Sequence, residues 1–154
     1  MTAADLKLET RDIVIDEVFP HAAETIWKTL TTADLIGRWL MQPTGFEATK
    51  GKAFTFQTTP AGAWDGTIHC QVLEVVPNTR LSYAWKGGVE GMTGYGSRLD
   101  TVVTWSLTPV GTGTRVRLVH AGFVTPKNDT AYTNMSEGWT KVVKRLDALT
   151  GEND

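Results

Sequence analysis

Residues 131–149 carry Met135, Trp139, Val142, Val143, Leu146 and Leu149 at helical spacing, so they form one apolar stripe. Glu137 and Lys141 pair one turn apart on the other side. The roughly eighty residues before this helix follow a period of two, with Trp, Phe and Tyr on one parity. A long amphipathic helix and a run of half-buried strands must bury their apolar sides against each other. A helix laid across a curved antiparallel sheet leaves space between them. That space is an apolar cavity fit to enclose something small.

The rest of the chain supports this order. Thr10 to Phe19 alternates, with Ile13, Ile15 and Phe19 inward, and predicts a strand closed by Pro20. Ala22 to Thr31 places Ala23, Ile26, Trp27 and Leu30 on one helical face. Thr32 is the expected N-cap of a short second helix with Leu35, Ile36, Trp39 and Leu40 as its apolar side. Strands follow over residues 52–58, with Phe54 and Phe56 on one face, and over residues 64–76. In the second, Leu73 and Val75 fall out of phase with Ile68, Cys70 and Val72, which predicts a bulge. Leu81, Tyr83 and Trp85 share a face of the next strand. Leu99, Thr101, Val103, Trp105 and Leu107 share a face of the one after. Val116, Leu118 and His120 alternate in the last, and a loop is expected over residues 122–130. Strands grouped between helices argue for an α+β fold. At 154 residues this is one domain, with its core over residues 11–149.

Composition excludes several classes. The formal net charge is −2, and nucleic-acid partners call for a basic face instead. The one cysteine, Cys70, rules out an intrachain disulfide. The three histidines, His21, His69 and His120, have no metal-ligand spacing, so no metal and no cofactor is expected. No segment reaches the apolar length of a membrane span. The first residues lack a signal-peptide pattern, and a reducing, cytoplasmic setting is the expectation.

His120 is the sharpest candidate for chemistry, because its parity points it at the concave side. There it could orient a ligand, act as an acid or base, or be a buried histidine satisfied by a neighbouring hydroxyl. Asp65, Glu74 and Asp100 are the strand acids that could approach it, although surface placement suits each. No Gly-x-Ser-x-Gly elbow is present. The glycine-rich residues 87–96 lack the Lys-Ser/Thr of a phosphate loop and read as a mobile connection, or lid, with Met92 and Tyr95 at its tips. Gly138 inside the last helix costs about 1 kcal/mol relative to alanine and is tolerable if close packing demands it.

The segments Val18-Phe19-Pro20-His21-Ala22-Ala23-Glu24-Thr25-Ile26-Trp27 and Leu35-Ile36-Gly37-Arg38-Trp39 resemble the opening of START-like helix-grip proteins. Further matches are Gln71-Val72-Leu73-Glu74-Val75-Val76-Pro77, Arg80-Leu81-Ser82-Tyr83-Ala84-Trp85, His120-Ala121-Gly122-Phe123 and Gly138-Trp139. The nearest group is the homologue family of the activator of heat-shock protein 90 ATPase. The resemblance implies a curved antiparallel sheet gripping a long C-terminal helix, with a cavity between them.

The resulting reading is a helix-grip domain that binds a small hydrophobic or amphipathic molecule. The lining candidates are Trp39, Phe54, Phe56, Tyr83, Trp85, Val103, Trp105, His120, Met135, Trp139 and Val143. A cyclase- or hydratase-type enzyme using His120, and a co-chaperone-like interaction module, are the alternatives. A homodimer is compatible with either.

Overall fold

The chain runs β1 (Thr10–Phe19), α1 (Ala23–Thr31), α2 (Ala33–Trp39), β2 (Ala53–Gln57), β3 (Thr67–Val76), β4 (Arg80–Gly87), β5 (Leu99–Val110), β6 (Gly113–Val124) and α3 (Asp129–Glu152). This computed structural model describes residues 9–152. The signal-peptide reading falls mainly on residues 1–8, outside the described residues. The strands form a curved antiparallel sheet in the order β1-β6-β5-β4-β3-β2. Helix α3 lies across its concave face, and α1 and α2 close one end. This is the α+β helix-grip architecture.

Side-chain alternation sets which face is buried. On β5, Thr101, Val103, Trp105 and Leu107 are buried while the residues between them are half-buried. On β4, Leu81, Tyr83 and Trp85 point the same way, because Tyr83 pairs with Val103 and Leu81 with Trp105. Between Val72 and Glu74 the register against β4 shifts by one residue. Leu73 is left without a partner and stands 40% exposed, so the bulge lies where the phase change places it. Asn78 takes the left-handed conformation, φ 62°, in the turn from β3 to β4.

Two local expectations change. Thr32 occupies the N-cap position of α2, but its hydroxyl makes no cap bond there. It donates instead to the Lys28 carbonyl at 2.7 Å. Thr32 also ends α1, and an unsatisfied helix-end carbonyl competes for the same side chain. The loop expected over residues 122–130 is shorter, because β6 continues to pair with β1 through Arg11–Phe123 and Thr10–Val124. Asn128 then pins the start of α3. Its side-chain oxygen accepts from the Val124 N–H, and its amide donates to Ser97 Oγ (2.9 Å) and to the Arg98 carbonyl (3.0 Å).

The stripe of α3 supplies the core from above. Trp139, Val142, Val143, Leu146 and Leu149 are all buried, and Leu146 has no exposed surface. At the far end His21 Nε2 meets Asp147 Oδ1 at 2.7 Å, which ties the turn after β1 to the helix.

Leu146→Ala is expected to cost about 2–5 kcal/mol, because the removed atoms leave a cavity. Val18 is 60% exposed on β1. Val18→Ala should change stability by less than about 0.5 kcal/mol. Urea melts of both variants check the contrast; equal losses would contradict the placement of α3.

Candidate functional site

Aromatic rings pack across the interior from α2 to β4, most of them edge to face. Trp39 on α2 meets Trp105 on β5 at 5.5 Å between ring centroids. Trp105 meets Trp139 of α3 at 5.9 Å, and Trp139 meets Trp85 of β4 at 5.8 Å. Phe54, Phe56 and Tyr83 continue the packing over β2 and β4. Such pairs add about 0.5–1.5 kcal/mol each beyond the area they bury.

A polar chain threads this apolar interior. Trp139 Nε1–H donates to His120 Nδ1 at 3.0 Å. Indole is only a donor, so Nδ1 carries no proton and the imidazole proton sits on Nε2. Nε2–H then donates to Thr101 Oγ1 at 2.7 Å. Thr101 Oγ1–H donates to the Trp85 carbonyl, also at 2.7 Å. The direction of every bond follows from its two ends. His120 has no exposed surface, and burial lowers its pKa to about 3. It is a neutral ring with both nitrogens engaged.

Beside this chain the core is open. A cavity of about 240 Å³ lies between α3 and the end of the sheet where β4 finishes and β5 begins. Trp85, Ile68 and Leu99 form the sheet side, Trp139, Met135 and Val142 the helix side. Leu40 and Met41, after α2, close one flank. Trp64 and Tyr95 stand on two facing loops with rings 5.7 Å apart. Tyr95 Oη–H donates to the Thr59 carbonyl at 2.6 Å, so the loop of residues 87–96 is fastened across the opening. Gly88, at φ 76°, lets that loop turn: a Cβ there would stand 2.1 Å from the Ser97 carbonyl oxygen.

Gly138 also borders the cavity, and a Cβ added to it would meet nothing within 4 Å. Close packing against a neighbour is therefore not the reason for this glycine. Its missing side chain is part of the open volume.

Among the residues predicted to line a site, Trp85, Met135 and Trp139 stand on the cavity wall. Phe56 backs Trp85 at 5.5 Å, and Trp105 and His120 back Trp139. Val103 and Val143 are core. Trp39, Phe54, Phe56 and Tyr83 surround a gap of about 10 Å³, room for a single water at most. Parity selects the inner face correctly but does not say which end of that face is filled. Leu40, Met41, Ile68, Leu99 and Val142 also border the opening. Leu40, Ile68, Leu99 and Val142 carry the inward periodicity of their elements, a signal they share with the filled core, and Met41 carries none.

The other candidates for chemistry lie elsewhere. Asp65 Oδ1 accepts from the Thr67 N–H, Glu74 pairs with Arg80 and Asp100 with Lys86, all on the surface. Burial raises the Cys70 thiol to about 12, which leaves it protonated and inert. Among the described residues no cluster of His, Cys, Asp and Glu could hold a metal ion. None of the described helices is long and apolar enough to cross a membrane.

The family model for Activator of Hsp90 ATPase homolog 1-like protein matches residues 20–151. The chain belongs to this Activator of Hsp90 ATPase homolog 1-like family. The crystal structure of protein MLL2253 from Mesorhizobium loti is 33% identical, with a TM-score of 0.79 over 94% of this chain and 99% of that one. CalU16 from Micromonospora echinospora is 23% identical, with a TM-score of 0.71 over 92% and 77%. Protein BH1534 from Bacillus halodurans is 22% identical, with a TM-score of 0.72 over 94% and 99%. The last two share the fold. A search of curated proteins found no match.

In this family member the neutral His120 makes stability depend on pH. The native imidazole protonates near pH 3 and an unfolded one near 6.5, so the unfolded chain binds the extra proton between those values. Stability is then fully present above pH 6.5 and falls as pH drops toward 3, with a slope from His120 approaching about 1.4 kcal/mol per pH unit. NMR of the imidazole should show no titration from pH 8 to about 4.5. A midpoint near its ordinary value would contradict the enclosed ring. Trp139→Phe keeps a ring but leaves Nδ1 without its donor. It should cost about 1–3 kcal/mol for the unpaired acceptor, read from urea melts at pH 7.

Proposed function

We propose that this protein binds a small hydrophobic or amphipathic molecule in the cavity between α3 and the sheet. Gly138 carries this reading. An interior helical glycine is unfavourable by about 0.8–1.0 kcal/mol relative to alanine. No described neighbour requires it here, and its missing side chain borders the cavity. The apolar wall supplies affinity by burial, and the loop of residues 87–96 governs access. His120 serves by holding Trp139 in place. Binding is favoured over acid–base catalysis because both imidazole nitrogens are committed inside the protein and the ring does not border the cavity.

Native mass spectrometry of freshly purified protein tests the reading, with a retained small molecule as the expected result. Gly138→Ala should stabilise the fold by up to about 1 kcal/mol in urea. Gly138→Leu should stay folded and lose the retained molecule, because the added side chain enters the cavity. A Gly138→Leu protein that binds as well as the natural one would defeat the proposal.

A further inference from the structure

We infer that the cavity selects uncharged ligands bearing a hydrogen-bond acceptor, such as a ketone, ester or ether oxygen, and that the Trp85 indole N–H receives it. This rests on the binding role proposed above and specifies its ligand class.

Of the six indoles, four donate within the protein, while those of half-buried Trp27 and of fully enclosed Trp85 have no acceptor among the described residues. Trp39 donates to the Thr29 carbonyl at 2.9 Å, and Trp64 to the Thr67 carbonyl at 3.1 Å. Trp105 donates to Tyr83 Oη at 3.2 Å, and Trp139 to His120 Nδ1. Trp85 is just as enclosed, at 3% exposure, yet its N–H meets no acceptor among the described residues. No described side-chain nitrogen or oxygen is both sealed from solvent and unpaired, so this N–H reaches open space. Trp85 is hemmed by Phe56, His120 and Trp139, and the open space it borders is the cavity. A donor that opens onto an apolar cavity is free to take a ligand acceptor, and that bond adds to the apolar burial of the ligand.

The same wall rejects charge. Among the described residues no Asp, Glu, Lys, Arg or His borders the cavity. A carboxylate or ammonium placed there would be stripped of water with no counter-charge. The polar side chains on the wall, Thr58, Tyr95, Ser97 and Asn134, are all uncharged and supply none. A ring system with one carbonyl suits this wall, whereas its acid derivative does not.

Matched probes test the inference. Binding of tetralin and 1-tetralone, and of fluorene, 9-fluorenone and fluorene-9-carboxylate, would be measured by calorimetry at pH 7. Each ketone should bind about fivefold to tenfold more tightly than its hydrocarbon, the worth of one net hydrogen bond, and the carboxylate should not bind. In ¹⁵N-labelled protein the Trp85 indole proton, assigned by its loss in Trp85→Phe, should move downfield with the ketones and not with the hydrocarbons. Hydrocarbons that bind as tightly as ketones, with the Trp85 resonance in the same place for both, would overturn the acceptor inference and leave the binding role standing. A carboxylate that binds as well as fluorenone would overturn the exclusion of charge. Failure of every probe, together with an empty protein in native mass spectrometry, would remove the binding role and this inference with it.

Discussion

The hydrogen-bonded run from Trp139 through His120 and Thr101 to the Trp85 carbonyl joins α3, β6, β5 and β4 in one line. Hydrophobic burial holds a helix on a sheet without fixing how far it slides or rolls. Directional bonds inside a low-dielectric core do fix it, because each misplaced group would be a buried polar atom without a partner. Trp139 cannot turn away without stranding Nδ1, and His120 cannot flip without presenting a second N–H to an indole that is itself a donor. The position of Trp139 in turn determines the helix side of the cavity.

The interior is divided along the helix. The C-terminal half of α3 packs Val143, Leu146 and Leu149 against a filled core, and the aromatic contacts of Trp39, Trp105, Phe54 and Tyr83 lie on that side. The N-terminal half covers the cavity through Ala131, Met135 and Gly138. Stability is concentrated where packing is dense. The cavity end gives up contacts, since atoms facing a void have no dispersion partners on that side. The two halves divide holding the fold from holding open space, and the polar chain runs between them.

Much of the fold was legible in the sequence. Period-two alternation placed Tyr83, Trp85, Val103, Trp105 and His120 on one inner face, because side chains on a pleated strand must alternate. The phase change at Leu73 gave the β3 bulge, and the α3 stripe gave the covering helix. Thr32 and the end of β6 were misjudged because local signals compete there. One hydroxyl sat between two helix ends, and a strand was extended by pairing with β1, nearly the whole chain away in sequence.

The cavity site was legible only in part, and its location came from the tertiary structure. Sequence named Trp85 by strand parity and Met135 and Trp139 by the helical stripe, but it ranked Phe54, Tyr83 and Trp105 beside them, since their parity points them inward too. Parity determines which way a side chain points, a property of the backbone within one element. Whether it meets another side chain or an empty volume depends on where α2, α3 and the loops bring their own residues. Gly138 shows the difference: the chain itself announces a helical glycine, but only the assembled fold shows that its missing side chain faces open space. Sequence by itself determined the faces, the element order and the family-like plan. Tertiary structure decided where the core stays open, which nitrogen of His120 holds the proton, and which fully enclosed indole is left with a bond to give.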